Sequence, residues 1–259
     1  MTTGSVKVLV EERKLGTIAR VTIENAAKLN TLDSHLMIAF VGELEALAQR
    51  DDLRAVVLTG AGTKAFVGGA NIFEMATLDA EHAEAFITLV HRSCNALREL
   101  PVPVIARVNG FCLGAGLEVA ASCDMRAASD NARFGMPEVH MGLPSVIEAA
   151  LLPGLIGWGR TREMLLTGEL YSAADALAMG FVQKMVPAAE LDAAVEHWIA
   201  AICRATPEAI RSQKALMNRW ERVSVEEGVL AGIDALSDGY KTGEPQAAIK
   251  AFFDGKKTR

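Results

Sequence analysis

Residues 101–124 read PVPVIARVNGFCLGAGLEVAASCD, and the fold turns on how that run divides. Residues 104–108 form a short β-branched run after a Pro-x-Pro break, the pattern of a buried strand. Asn109-Gly110 ends it, and Gly114-Ala115-Gly116 leads into Leu117-Glu118-Val119-Ala120-Ala121, which has helix composition. Small residues let a ligand approach the main chain, and the first N–H groups of a helix lack internal partners. An oxygen gaining negative charge could be held there, with Glu118 in the first turn close enough to act on it. Taken alone, the same run also fits an ordinary glycine-rich strand–helix turn carrying a solvated carboxylate.

A second stretch of the same kind lies upstream. Residues 53–60 (LRAVVLTG) are an apolar strand, followed by AFVGGANIFEM at 65–75. Two such runs, AFVGGANIFEM and VNGFCLGAGLEVAASCD (108–124), resemble the paired signatures of the crotonase (enoyl-CoA hydratase/isomerase) superfamily, in its order and at about its separation. The resemblance extends over essentially the whole chain. A third match, Phe134-Gly135-Met136-Pro137-Glu138, falls where the family carries a second catalytic carboxylate.

The resemblance implies an α/β crotonase (ClpP-like) fold of repeated ββα units with a helical C-terminal oligomerisation region. It divides the chain into a thioester-binding core at 1–195 and a helical trimerisation region at 196–259. It implies an enoyl-CoA hydratase that adds water across the 2,3 double bond of a 2-enoyl-CoA. In that reading the thioester carbonyl lies against the N–H groups of Gly68 and Ala115, and Glu118 and Glu138 are the glutamate pair. Glu118 is assigned mainly to the water and Glu138 mainly to proton transfer at Cα. No cofactor is expected, coenzyme A entering as part of the substrate. Double-bond isomerisation, which needs one base, is the alternative within the family; a non-catalytic acyl-CoA-binding protein is the alternative outside enzymology, disfavoured because both glutamates are present.

By the same resemblance, coenzyme A lies along Ala26, Lys28, Leu29 and Asn30, with Ala70, Asn71, Ile72 and Gly114 also among the coenzyme A and substrate contacts. Phe252 and Lys256 would reach the coenzyme A of a neighbouring subunit, in a homotrimer or a homohexamer built as a dimer of trimers. Three departures stand out. Ala115 replaces the middle glycine of the usual triplet, keeping its N–H, and Asn71 replaces an aspartate, as a turn group. After Glu138 the chain reads MGLPSVIEAA (141–150) where many hydratases have a glycine-rich run, so Glu148 stands where glycine is usual, near Pro144 on a segment that lines the acyl pocket in relatives. Glu148 either selects a functionalised acyl chain or caps and solvates a helix starting at Val146.

The rest of the chain narrows the class. At 259 residues with 51% hydrophobic composition, the chain can bury a sizeable core. A net charge of −6 gives no electrostatic case for nucleic acid or an anionic membrane. No segment approaches the roughly 18 uninterrupted apolar residues of a membrane span, and the N-terminus lacks a signal-peptide layout, so a soluble cytoplasmic protein is expected. Cys94, Cys112, Cys123 and Cys203 show no metal or disulfide spacing and read as reduced core residues; no metal site is expected. Gly60-Ala61-Gly62-Thr63-Lys64-Ala65 matches a dinucleotide fingerprint, but Phe66-Val67-Gly68-Gly69 after it is not helical, which removes that reading.

Residues 6–11 and 17–23 alternate as a hairpin, Asp33 caps a helix running to about residue 50, and 79–99 form a helix whose His82 and His91 fall on a largely polar face. Ser172 caps a further helix and 181–186 read as a strand. Helices are expected at 189–204, 207–220, 224–237 and 244–254.

Overall fold

The computed structural model describes residues 4–257, with side chains from 4 to 254. Its strands in chain order are β1 Ser5–Arg13, β2 Gly16–Glu24, β3 Leu53–Gly60, β4 Ala65–Val67, β5 Val104–Val108, β6 Phe111–Leu113, β7 Met125–Ser129, β8 Arg133–Gly135, β9 Tyr171–Ser172 and β10 Lys184–Val186. The helices are α1 Ser34–Ala48, α2 Ile72–Met75, α3 Ala80–Glu99, α4 Ala115–Ala121, α5 Leu152–Thr167, α6 Ala173–Ala178, α7 Leu191–Arg204, α8 Pro207–Trp220, α9 Val225–Lys241 and α10 Glu244–Lys257.

The strands form two sheets. The larger runs β1-β2-β3-β5-β7-β10, parallel throughout except for the β1–β2 hairpin; the smaller runs β4-β6-β8-β9, with β8 and β9 antiparallel. Successive strand pairs β3/β4, β5/β6 and β7/β8 each give one strand to the larger sheet and the next to the smaller. This is the repeated unit expected from the two signature stretches. Because sequential units stack side by side, β4 and β6 end next to each other, and so do the two loops that follow them.

The larger sheet is covered on both faces, which is why β3 and β5 read as nearly continuous apolar runs. Val56, Leu58, Val104 and Ala106 face the main core with Phe40 of α1, Val90 and Leu97 of α3, and Leu117 of α4. Ala55, Val57 and Ile105 alternate to the other face, where Leu191, Val195 and Ile199 of α7 cover them. The boundary expected at 195/196 therefore falls inside α7, between two residues that pack on the same sheet.

Local chemistry places the helix starts. The Asp33 and Asp79 side chains accept the N–H groups of Leu36 and His82, capping α1 and α3, and Ser172 with Asp175 makes a reciprocal capping box on α6. The expected strand at 181–186 is shorter, Lys184–Val186: Phe181 is buried instead in the core, edge-on to Phe134 with the Arg126 guanidinium over its ring. Glu138 sits in a 3-10 turn, Pro137–Met141, rather than an open loop.

After α7 the chain is helical. Lys214 of α8 is buried and donates to Leu97 O, Val102 O and Asp124 Oδ2 at 3.2, 2.9 and 2.8 Å, tying α8 to the strand–helix framework. α9 packs on α8, with Trp220 Nε1 donating to Gly228 O at 2.9 Å. The four cysteines are buried and unpaired. Among the described residues, no helix is long and apolar enough to cross a membrane, and no cluster of His, Cys, Asp and Glu is arranged to hold a metal.

Candidate active site

The site is assembled where α4 begins. Gly114 precedes it at φ 51°, ψ −124°, and its N–H donates to Gly135 O at 2.9 Å, joining the end of β6 to the end of β8. A Cβ on Gly114 would lie 2.3 Å from Glu138 Oε1. Glycine is thus required twice, for a positive φ and for the close approach of a carboxyl. Gly116 has a related constraint: a Cβ there would meet Val67 O at 2.0 Å, so α4 presses directly on β4. The glycines of the opening sequence run are seats for neighbouring groups.

Glu118, one turn into α4, is 4% exposed. Its Oε1 accepts the backbone N–H of Ala149 at 3.1 Å. Burial pushes its pKa up to about 8; the Ala149 N–H works against that shift, and Glu138 and Glu148 add to it. Glu138 is held from the other side, its Oε2 accepting from Ser145 Oγ at 2.9 Å. The two carboxyls therefore share one site, each fixed by a donor from the 145–149 segment.

That segment also settles the surroundings of Glu148. It does not cap or solvate a surface helix: residues Ile147–Leu151 form a 3-10 turn, and Glu148 is buried with its Oε1 2.7 Å from His91 Nδ1 on α3. Pro144 is exposed in the link ahead of it. The ring of the exposed His82 lies against the cap residue of its own helix, Asp79.

The loops after β2 and β4 form the other wall. Leu29 and Asn30 both adopt φ 55°. The buried Asn30 side chain accepts Asn25 N–H at 2.9 Å and donates to Ala61 O and Ala65 O at 3.0 and 2.9 Å, so its amide fastens the loop after β2 to the β3–β4 connection and the start of β4. Ala26, Lys28 and Leu29 remain exposed on a 3-10 turn. Leu29 O accepts the N–H of Gly68 at 2.8 Å, which commits the donor expected at Gly68 to the protein itself. Two residues on, Leu32 N–H bonds Gly69 O and Asn71 N–H bonds Leu32 O, leaving Ala70 N–H between them with no acceptor among the described residues. Ala115 N–H, at the first position of α4, has none either. Asn71 is a turn group, its side chain accepting Phe73 N–H at 3.1 Å, and Ile72 is exposed on α2.

Phe252 is exposed on α10, edge-on to Phe253. The side chain of Lys256 lies outside the described residues. The roles of Ala149, Ser145 and His91 carry no signal in the sequence: two act after a chain reversal that the sequence does not locate, and Ala149 acts through its backbone. Asn109 is legible only in part. It ends β5 as expected, and its amide also holds the rejected dinucleotide-like loop, donating to Gly60 O and Gly62 O at 2.9 and 2.7 Å.

Comparison with known proteins gives the family. The enoyl-CoA hydratase/isomerase family model matches residues 13–258. A short-chain-enoyl-CoA hydratase of Clostridium acetobutylicum is 36% identical over 94% of each chain, and a crotonyl-CoA hydratase of Syntrophomonas wolfei is 31% identical over 96% of this chain and 95% of its own. The crystal structure of an enoyl-CoA hydratase from Bacillus anthracis superposes with a TM-score of 0.90 at 27% identity, covering 95% of this chain and 96% of that one. The chain belongs to the enoyl-CoA hydratase/isomerase family.

Proposed function

We propose that the protein is an enoyl-CoA hydratase acting on a 2-enoyl-CoA thioester. The observation that carries this reading is the pairing of Glu118 and Glu138, from two separate elements, at the start of α4. Relatives over nearly the full length bear hydratase names, which supports hydration over the other chemistries of the family.

Hydration joins a water oxygen to Cβ, gives one water proton to a base, and places a proton on Cα from an acid. The thioester oxygen carries negative charge in between, held by the free N–H groups of Ala70 and Ala115; removing one such donor typically costs about 100- to 1000-fold in rate. The loop donor is thus Ala70 rather than Gly68, whose N–H is occupied. Glu118 takes the water proton. A carboxylate with a raised pKa is the stronger base, and one poised near neutrality is well matched to that task. Glu138 protonates Cα, and transfer of the proton from Glu118 back to Glu138 restores the pair.

Several exposed apolar residues of α9, Val225, Val229, Ile233 and Leu236, recur along one face, and Phe252 and Phe253 of α10 are exposed as well. A contiguous apolar face of this kind marks a protein interface. It supports a homotrimer or a dimer of trimers, with Phe252 and Lys256 meeting a neighbour's coenzyme A. Four buried, unpaired thiols fit a reducing cytoplasmic compartment.

The test is loss of the enoyl-thioester absorbance with crotonyl-CoA, alongside Glu138→Gln. Formation of a 3-hydroxyacyl-CoA, abolished by the substitution, is the expected result; acyl-CoA binding without turnover of any 2-enoyl thioester would sink the proposal.

A further inference from the structure

Beside the glutamate pair lies a third carboxyl with no part in the chemistry above. The Glu148 side chain is 8% exposed, and one of its oxygens is 2.7 Å from His91 Nδ1. The other, Oε2, is buried without a hydrogen-bond partner, the only such side-chain atom among the described residues. Leaving a buried polar atom unpaired is costly, and such an atom calls for an explanation. The backbone leading to it is strained: Ile147 adopts φ 42°, a conformation that a β-branched residue rarely takes. The next side chain, Glu148, is buried, and the residue after it, Ala149, holds Glu118. Cys94 of α3 reports the same proximity. Burial pushes its thiol well up, and Glu148 and Glu118, next in order, push it further.

The direction of the acyl chain follows from the order of groups along α4. With the thioester oxygen at Ala115 and the reacting carbon at Glu118, the chain beyond Cβ continues from Glu118, whose carboxyl rests on the Ala149 N–H of the Ile147–Leu151 turn. The next buried carboxyl there is Glu148. Resting on the hydratase reading, we infer that Glu148, oriented by His91, is a specificity-determining residue whose free oxygen pairs with a hydroxyl on the acyl chain beyond Cβ. A hydroxyl both donates and accepts, so it can pair with Oε2 whether the carboxyl carries a proton or not; an ammonium serves only the carboxylate. Among the described residues the Glu148 carboxyl is held by one hydrogen bond, to His91, whose side chain is half exposed.

The test compares kcat/KM of the full chain for thioesters matched in size: 4-hydroxy-2-butenoyl-CoA against 2-pentenoyl-CoA, and 5-hydroxy-2-pentenoyl-CoA against 2-hexenoyl-CoA. The hydroxylated member is expected to be preferred by about 10- to 100-fold in at least one pair, the worth of a hydrogen bond to such a group. In Glu148→Leu and His91→Ala the two members should become equivalent, while a purely structural role would lower both together and leave their ratio unchanged. Glu148→Gln, which keeps the shape, replaces Glu148→Leu if the latter does not fold, and should reduce the ratio. Equal turnover of both members of each pair by the unaltered protein overturns the inference, as does a preference that survives these substitutions. Turnover of neither series overturns the hydratase reading itself, a result separable from loss of selectivity alone.

Discussion

The backbone N–H of Ala149 donates to Glu118 Oε1 at 3.1 Å, so a residue 31 positions downstream fixes the carboxyl that α4 presents. The same N–H opposes the upward shift of Glu118, which burial, Glu138 and Glu148 drive to about 8.

The pH dependence of hydration follows from that shift. With Glu118 as the base for water and Glu138 as the acid at Cα, kcat/KM for crotonyl-CoA should rise with pH towards about 8 and fall once the pair has lost its second proton. A stopped-flow profile from pH 5 to 9 checks this. A rate that falls through the same range would assign Glu118 as the proton donor instead.

Stability should move the opposite way. A carboxyl whose pKa is higher folded than unfolded binds its proton more tightly in the native state, so its contribution is full below about pH 4.3 and is lost as pH rises towards 8. Glu118→Gln has no charge to bury. Its unfolding free energy should equal that of the unaltered protein near pH 4 and exceed it increasingly up to pH 8, by an amount on the order of a few kcal/mol. Thermal melts of the two proteins across that range decide it; a constant difference would contradict the assignment of the shift.

Gly114→Ala should remove activity with little change of fold. The added Cβ lies 2.3 Å from Glu138 Oε1, and φ 51° disfavours any side chain, so the carboxyl must leave its place. The expected loss in kcat is about 100-fold or more, the contribution of a positioned acid–base group. Ser145→Ala, which removes only the hydroxyl on Glu138 Oε2, should cost less and act in the same direction. Steady-state kinetics on both variants tests the order.

Lys214→Ala should destabilise strongly. The ammonium is buried, and its loss takes the cation from Asp124, whose Oδ2 keeps the Val104 N–H, and leaves the carbonyls of Leu97 and Val102 without their donor. Breaking a buried pair from one side costs about 3–5 kcal/mol. Urea unfolding gives the number, and a loss under about 1 kcal/mol would mean that α8 is docked by its apolar contacts alone.

Through the resemblance its motifs carry, the sequence pointed to a repeated unit and a glutamate pair; by itself it determined the starts of the main helices and strands. Those follow from local rules: β-branched runs, caps at Asp33, Asp79 and Ser172, and glycines where strands give way to helices. It also placed the motifs that make the family recognisable. Only the tertiary structure decided which N–H is free. Gly68 and Ala70 look alike as letters, yet Leu29, brought alongside by loop stitching, occupies one and not the other. Glu148 is the sharper case. Its sequence neighbours fit a solvated helix start equally well, and its partner His91 lies 57 residues away on a helix face that reads as polar. Backbone donors and long-range pairings depend on where distant segments meet, and the periodicity of a single chain carries no record of that.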